Sequence, residues 1–276
     1  MVSRLTYCPP PGEAPEHTLT RWALIADPHV AGGEVEPSNG HLPAENLKQA
    51  VEQIRTSAFE GVIVAGDLAL WEGLPDDYAH FHEIIGPLEA AYPTALTTGN
   101  HDERKNMTAA FCNGDVVGAT PRKLIVVIER PPIRWIILDS LYRTDVVSGL
   151  VGKAQRNWLK RFLSEADARP TFILVHHPPD DGDNGLLDGD RLLRMLAPRR
   201  QVKALIYAHA HHYRFEKIGD LHLMGLPAVG FPFVPAQPVG WVEAELGRYR
   251  GRFTLRTVAS NNCGNGRTTT LHWRCD

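Results

Sequence analysis

Five times in this chain a short apolar run ends and a residue able to hold a metal ion follows at once. Ala23-Leu24-Ile25-Ala26 runs into Asp27-Pro28-His29, and Val62-Ile63-Val64-Ala65 into Gly66-Asp67. A short run near Leu96 leads to Gly99-Asn100-His101-Asp102. Phe172-Ile173-Leu174-Val175 leads to His176-His177, and Leu205-Ile206-Tyr207 to Ala208-His209-Ala210-His211. Short apolar runs bounded by turn residues read as buried strands. In α/β sheets the loops at the carboxyl ends of strands converge on one crevice. Such a chain is expected to form a layered α/β fold with its polar chemistry gathered along one edge. Each residue alone has a plainer reading, because turns favour Asp and Asn and a histidine can be a satisfied neighbour. The repetition at five strand ends favours one convergent site.

The donors are nitrogen and oxygen only, which suits Mn, Fe, Zn or Co and disfavours clusters and Cu(I). Asp27, His29, Asp67, Asn100, His176, His209 and His211 are too many ligands for one ordinary ion. They suffice for two if one carboxylate bridges, and Asp67 is the natural bridge. Two carboxylates against two dications leave a positive centre that attracts an anion, such as a phosphate ester.

The rest of the chain sets bounds. Its 276 residues, 43% hydrophobic, can bury a sizeable core. The net charge of −3 and the lack of a Lys/Arg block show no footprint for nucleic acid or an anionic membrane. The first twenty residues hold Pro9, Pro10, Pro11 and Pro15 but no apolar run, so they read as an extended arm rather than a targeting peptide. No stretch is apolar enough to span a bilayer. The cysteines form no paired CxxC pattern; Cys263 could pair with Cys275, but reduced thiols in a cytoplasmic protein are the better expectation. Helices are expected over 43–56, 76–88, 152–166 (burying Trp158, Leu159 and Phe162) and 191–196. A hairpin is expected around Pro131-Pro132, and antiparallel strands from 221 onward. This gives an arm (1–20), one domain (21–260) and a tail (261–276). Asp181 to Gly185 lacks the flanks of a calcium loop and reads as a solvated loop. Gly264-Asn265-Gly266 is a lone G-x-G without phosphate-binding weight. His80 and His82 read as surface residues. Trp71 and Tyr213 read as core, with a base or leaving-group platform as the sharper alternative.

The five blocks resemble those of the calcineurin-like metallophosphoesterase superfamily: D-x-H, G-D, G-N-H-[DE], H and G-H-x-H, in that order from Asp27 to His211. Ala208 stands where glycine is usual. Leu138-Asp139-Ser140 and Trp158-Leu159 also look familiar. Leu70 and Trp71 after Asp67 disfavour the protein serine/threonine phosphatases and purple acid phosphatases. G-N-H-D-E-R at 99–104, His176-His177-Pro178-Pro179 and Gly225-Leu226-Pro227 are most similar to bacterial class III cyclic nucleotide phosphodiesterases and related glycerophosphodiesterases.

The resemblance implies a four-layer α/β/β/α sandwich with two mixed β-sheets. It implies one metal on Asp27, His29, Asp67 and His211, and a second on Asp67, Asn100, His176 and His209. His177 is then left to support a ligand from behind or to line the substrate pocket. The implied reaction is in-line hydrolysis of a phosphate ester, with His101 serving the leaving oxygen and Asp102 either orienting His101 or acting structurally. A phosphodiesterase for cyclic nucleotides or other small diesters is the leading expectation; a phosphomonoesterase, a nuclease and a silent scaffold on the same fold are the alternatives. The expected partner is a small-molecule phosphate ester, not a membrane or nucleic acid, and a homo-oligomer is left open.

Overall fold

A computed structural model describes residues 2–6, 18–111, 123–180, 182–258 and 263–274. Pro9, Pro10, Pro11 and Pro15 of the expected arm, and Asp181 and Cys275, lie outside them. The elements run in the order β1 (Val2–Thr6), β2 (Thr20–Ile25), α1 (Pro43–Arg55), β3 (Gly61–Val64), α2 (Pro75–Glu89), β4 (Thr94–Leu96), α3 (Arg104–Phe111) and β5 (Ile125–Arg130). Then come β6 (Ile133–Leu138), α4 (Gly152–Glu165), β7 (Thr171–Leu174), α5 (Gly189–Leu196), β8 (Val202–Tyr207), β9 (Arg214–Ile218), β10 (Leu221–Gly225), β11 (Gly240–Leu246), β12 (Arg250–Thr257) and β13 (Thr268–His272).

Two mixed sheets stack face to face. One has the strand order β1-β5-β6-β7-β8-β10-β9 and the other β13-β12-β11-β2-β3-β4. The alternation of side chains along a strand sorts the apolar residues into three layers. Trp22, Leu24 and Ile63 meet Trp135, Ile137, Phe172 and Ile206 between the sheets. Ala23, Ile25, Val62 and Val64 face the other way, against Leu47 and Val51 of α1 and Phe81 and Ile85 of α2. Ile136, Leu138, Ile173 and Leu205 turn outward to Leu159 of α4 and Leu192 and Leu196 of α5. The expected α/β/β/α sandwich is thus present. Strands read as continuously apolar are so because both faces are covered.

The expected hairpin forms, with β5 and β6 antiparallel around Pro131-Pro132. Several expectations need correcting. β10 was expected to be antiparallel; it runs parallel to β8 and antiparallel only to β9. The reason is polarity: β9 (Arg-Phe-Glu-Lys-Ile) is largely solvated and takes the sheet edge, while the fully buried β10 is drawn inside. In α4 the buried residues are Gln155, Leu159 and Leu163, and Trp158 and Phe162 are only half-buried, stacked on one another at 5.1 Å. Helix α3 was not expected. The arm and tail each contribute an edge strand, β1 parallel to β5 and β13 antiparallel to β12.

Candidate metal centre

The seven expected ligands lie together at the ends of β2, β3, β4, β7 and β8, and all are buried. Parallel pairing of β2 with β3 and β3 with β4 brings the first three ends side by side. β7 beside β8 brings the other two, and stacking of the sheets closes the set. Backbone bonds lace the ends together: Asp27 N–H donates to Gly66 O (3.2 Å), His29 N–H to Asp67 O (2.9 Å) and Ala208 N–H to His176 O (2.8 Å).

Five of the seven have left-handed backbone: Asp27 (φ 51°), His29 (48°), Asp67 (52°), His209 (65°) and His211 (50°). Such a conformation costs a non-glycine residue on the order of 1–2 kcal/mol, though Asp and His tolerate it better than most. Concentration of that cost at one edge is the mark of a functional site, where packing holds side chains in place against local preference. The glycines have a separate reason. A Cβ on Gly99 would lie 2.1 Å from Asp67 Oδ1, and one on Gly66 2.6 Å from His176 Nδ1. Ala208 is not among the positive-φ residues, so alanine fits there.

The donor atoms face inward. Asp67 Oδ1 accepts the His101 backbone N–H at 2.9 Å, which leaves Oδ2 to point between His176 Nε2 (3.3 Å) and His29 Nε2 (3.8 Å). His176 Nδ1 donates to Ala65 O (2.7 Å) and His211 Nδ1 to Phe231 O (2.6 Å). In the neutral ring each bond leaves Nε2 bare, the form that binds a metal. His29 Nε2 and His211 Nε2 face each other at 3.2 Å, and His211 Nε2 lies 3.7 Å from Asp27 Oδ1. Asn100 Oδ1 lies 3.3 Å from His176 Nε2. Asp27, His29 and His211 can present one donor atom each within 4.8 Å of one another, as can Asp27, Asp67 and His176. This donor set fits divalent cations.

Burial lowers His29 to about 4 and His209 to about 3, and drives His211 well below the usual imidazole range, so these rings are neutral and ready to coordinate. His176 behaves oppositely: burial opposes its charge, but Asp67 and Asp27 hold it up at about 9. Asp27 is raised by its burial.

Asp102 does not touch the His101 side chain. Its carboxylate accepts backbone N–H groups of Gly99 (2.8 Å), Leu68 and Ala69 (3.2 Å each) and the Tyr78 hydroxyl (3.2 Å). It thereby ties the Asp67 loop to the Asn100 loop. The His101 ring is oriented instead by the Trp71 carbonyl, 3.0 Å from Nδ1. Trp71 itself, expected in the core, is 60% exposed, with its ring edge-on to His101 at 5.6 Å; Tyr213 is buried as expected. His80 is half-buried and bonded to Ala31 O, while His82 is exposed beside Glu89.

Three further features shape the site: the Leu138-Asp139-Ser140 run was noted in the sequence but not the contacts its residues make, and Phe233 carries no local sequence signal. Phe233, 55% exposed, stacks on His211 at 3.9 Å and 7°. Asp139, fully buried and held below the ordinary carboxylate range against its burial by the Arg104 and Lys123 charges, binds Arg104 bidentately (2.6 and 3.0 Å). Ser140, next in sequence, touches both His176 and His177.

A family model described as calcineurin-like phosphoesterase matches residues 20–213. The chain is 29% identical to a 3',5'-cyclic adenosine monophosphate phosphodiesterase of Escherichia coli, covering 99% of this chain and 90% of that one. It is 29% identical to a probable cyclic nucleotide phosphodiesterase of a Synechococcus species, covering 83% and 86%. A dimetal phosphatase from Danio rerio has the same fold, with a TM-score of 0.70 at 17% identity, over 92% of this chain and 99% of that one.

Proposed function

The chain belongs to the calcineurin-like phosphoesterase family, and from that premise we propose that it hydrolyses small phosphodiesters, cyclic nucleotides foremost, at a pair of divalent cations. The observation that carries the reading is Asp67 Oδ2, aimed between His29 Nε2 and His176 Nε2 while Oδ1 is taken by backbone. One oxygen between two sets of imidazoles is where a bridging ligand belongs. Asp27, His29, Asp67 and His211 would hold one ion, and Asp67, Asn100, His176 and His209 the other. Ions held there would supply Lewis acidity toward a phosphoryl group and toward a water. Mn, Fe, Zn and Co all suit the donors.

The chain's own groups do the rest. His101 is half-buried at the mouth, its backbone pinned on Asp67 and its Nδ1 on Trp71 O, so Nε2 is the end left to face a leaving oxygen. From there it would hand a proton to that oxygen, the usual task of a general acid. The nucleotide reading is supported by the exposed rings of Trp71 and Phe233, which sit against His101 and His211. They offer flat apolar faces to a purine or pyrimidine. No helix among the described residues is long and apolar enough to cross a membrane.

The test is a substrate panel on metal-reconstituted protein: a phosphomonoester, a linear diester and 3',5'-cyclic nucleotides. The proposal expects the diesters to be turned over with higher kcat/KM than the monoester. A monoester preference would withdraw the diesterase assignment, and no hydrolysis of any ester would withdraw the enzyme.

A further inference from the structure

His177 is buried completely, and its Nε2 has no hydrogen-bond partner among the described residues. Its ring lies 4.8 Å from that of His176 and 4.9 Å from that of His209. A nitrogen of each of these three rings can be drawn within 4.8 Å of the others, so His177 is itself a candidate ligand on distance alone.

Hydrogen bonding decides otherwise. Ser140 Oγ accepts the backbone N–H of His176 and that of His177, at 3.2 Å each, and lies 2.8 Å from His177 Nδ1. A hydroxyl has two acceptor sites and one proton. Both acceptor sites are taken by N–H groups, so the proton goes to Nδ1. His177 is therefore the Nε2–H tautomer, with no lone pair at Nε2 for a metal. Gly149 packs against the same Nδ1 edge of the ring, where a Cβ would meet Cγ at 2.3 Å and Nδ1 at 2.4 Å. The ring is thus held by its Nδ1 edge, and the Nε2–H end is left without a partner among the described residues, in a ring packed against those of His176 and His209.

A buried donor without a partner is costly, and such groups are retained where a ligand supplies the acceptor. We propose that His177 Nε2–H is a built-in donor to a non-bridging oxygen of the phosphoryl group bound at this centre. His177 then recognises the substrate and is not a metal ligand, and Ser140 is the positioning residue that sets its tautomer. This rests on the phosphoesterase reading and extends it to one atom.

The test combines a tautomer with a binding constant. Long-range ¹H–¹⁵N correlation on the metal-free wild type should show the proton of the His177 ring on Nε2; a proton on Nδ1 overturns the proposal without any variant. His177→Phe keeps ring volume and removes the donor, and His177→Gln keeps a reaching N–H. Against inorganic phosphate as probe, measured by calorimetry on metal-loaded protein, H177F should retain the wild-type metal content. It should bind phosphate roughly 10- to 100-fold more weakly, the worth of one hydrogen bond to a charged acceptor. H177Q should recover part of that loss. Loss of metal in H177F would make His177 a ligand after all, and unchanged phosphate affinity would leave it without a role; either overturns the proposal. Wild-type protein that takes up neither metal nor phosphate would instead overturn the phosphoesterase reading, and the proposal with it.

Discussion

Removing the Asp102 carboxylate should cost stability and metal together. Its two oxygens accept four hydrogen bonds, three of them from buried backbone at Gly99, Leu68 and Ala69. Asp102→Ala leaves three N–H groups without an acceptor, at ~1–3 kcal/mol each. Relief of a buried charge offsets part of that, since burial and the nearby Asp67 push this carboxyl up to about 6. A net loss of about 3–5 kcal/mol remains, which lowers the unfolding midpoint of a chain of this size by roughly 10 °C. The same three groups hold Asp67 and Asn100 in register, so metal content should fall as well. Calorimetric unfolding and elemental analysis of the purified variant read both. If D102A kept the wild-type midpoint and metals but lost rate chiefly on esters with poor leaving groups, Asp102 would be an orienter of His101 after all.

The other outcomes concern the site itself. Asp67→Ala should lose both ions and Asp27→Ala chiefly one, since Asp67 Oδ2 faces both His29 and His176; equal residual metal in the two would count against the bridge. His101→Ala should keep fold and metals but lose on the order of 10²–10⁴ in turnover on alkoxide leaving groups and much less on nitrophenolate. A uniform loss would leave His101 only a positioning role. Mn²⁺ affinity should climb from pH 6 to pH 9. The bound form needs His176 without the proton that Asp67 and Asp27 hold on it to about 9, so protonation at lower pH competes with the ion. A flat affinity over that window would refute the assignment of His176.

The parts of the fold legible in the sequence were those encoded locally. Apolar runs such as Val62 to Ala65 and Phe172 to Val175 announce strands, and the ligand that ends each run is next in sequence, so the centre could be read before the layers were known. Helix α1 was legible because Leu47, Val51 and Ile54 repeat on one face. Helix α3 was not, because Met107 is the one buried residue in it and no periodicity betrays it. Strand direction is also invisible to an apolar pattern, hence the error at β10. The three consecutive threonines of β13 and the solvated β9 carry too little apolar contrast to register as edges. At the site, the Arg104–Asp139 pair and the Ser140–His177 contact join residues 35 and 37 positions apart, with no spacing rule to predict them. Trp71 shows the limit most plainly. Whether a tryptophan beside a ligand block turns inward or outward depends on what packs over it, and here the interior is already filled by Leu68, Ala69 and Tyr78.

The central claim is two cations working as one centre on a phosphodiester. The direct measurement is to strip the protein of metal, add Mn²⁺ in sub-stoichiometric steps and follow hydrolysis of a 3',5'-cyclic nucleotide. The account predicts that activity is negligible without metal and saturates only when two equivalents per chain are bound. Full activity at one equivalent, or none at two, would contradict it.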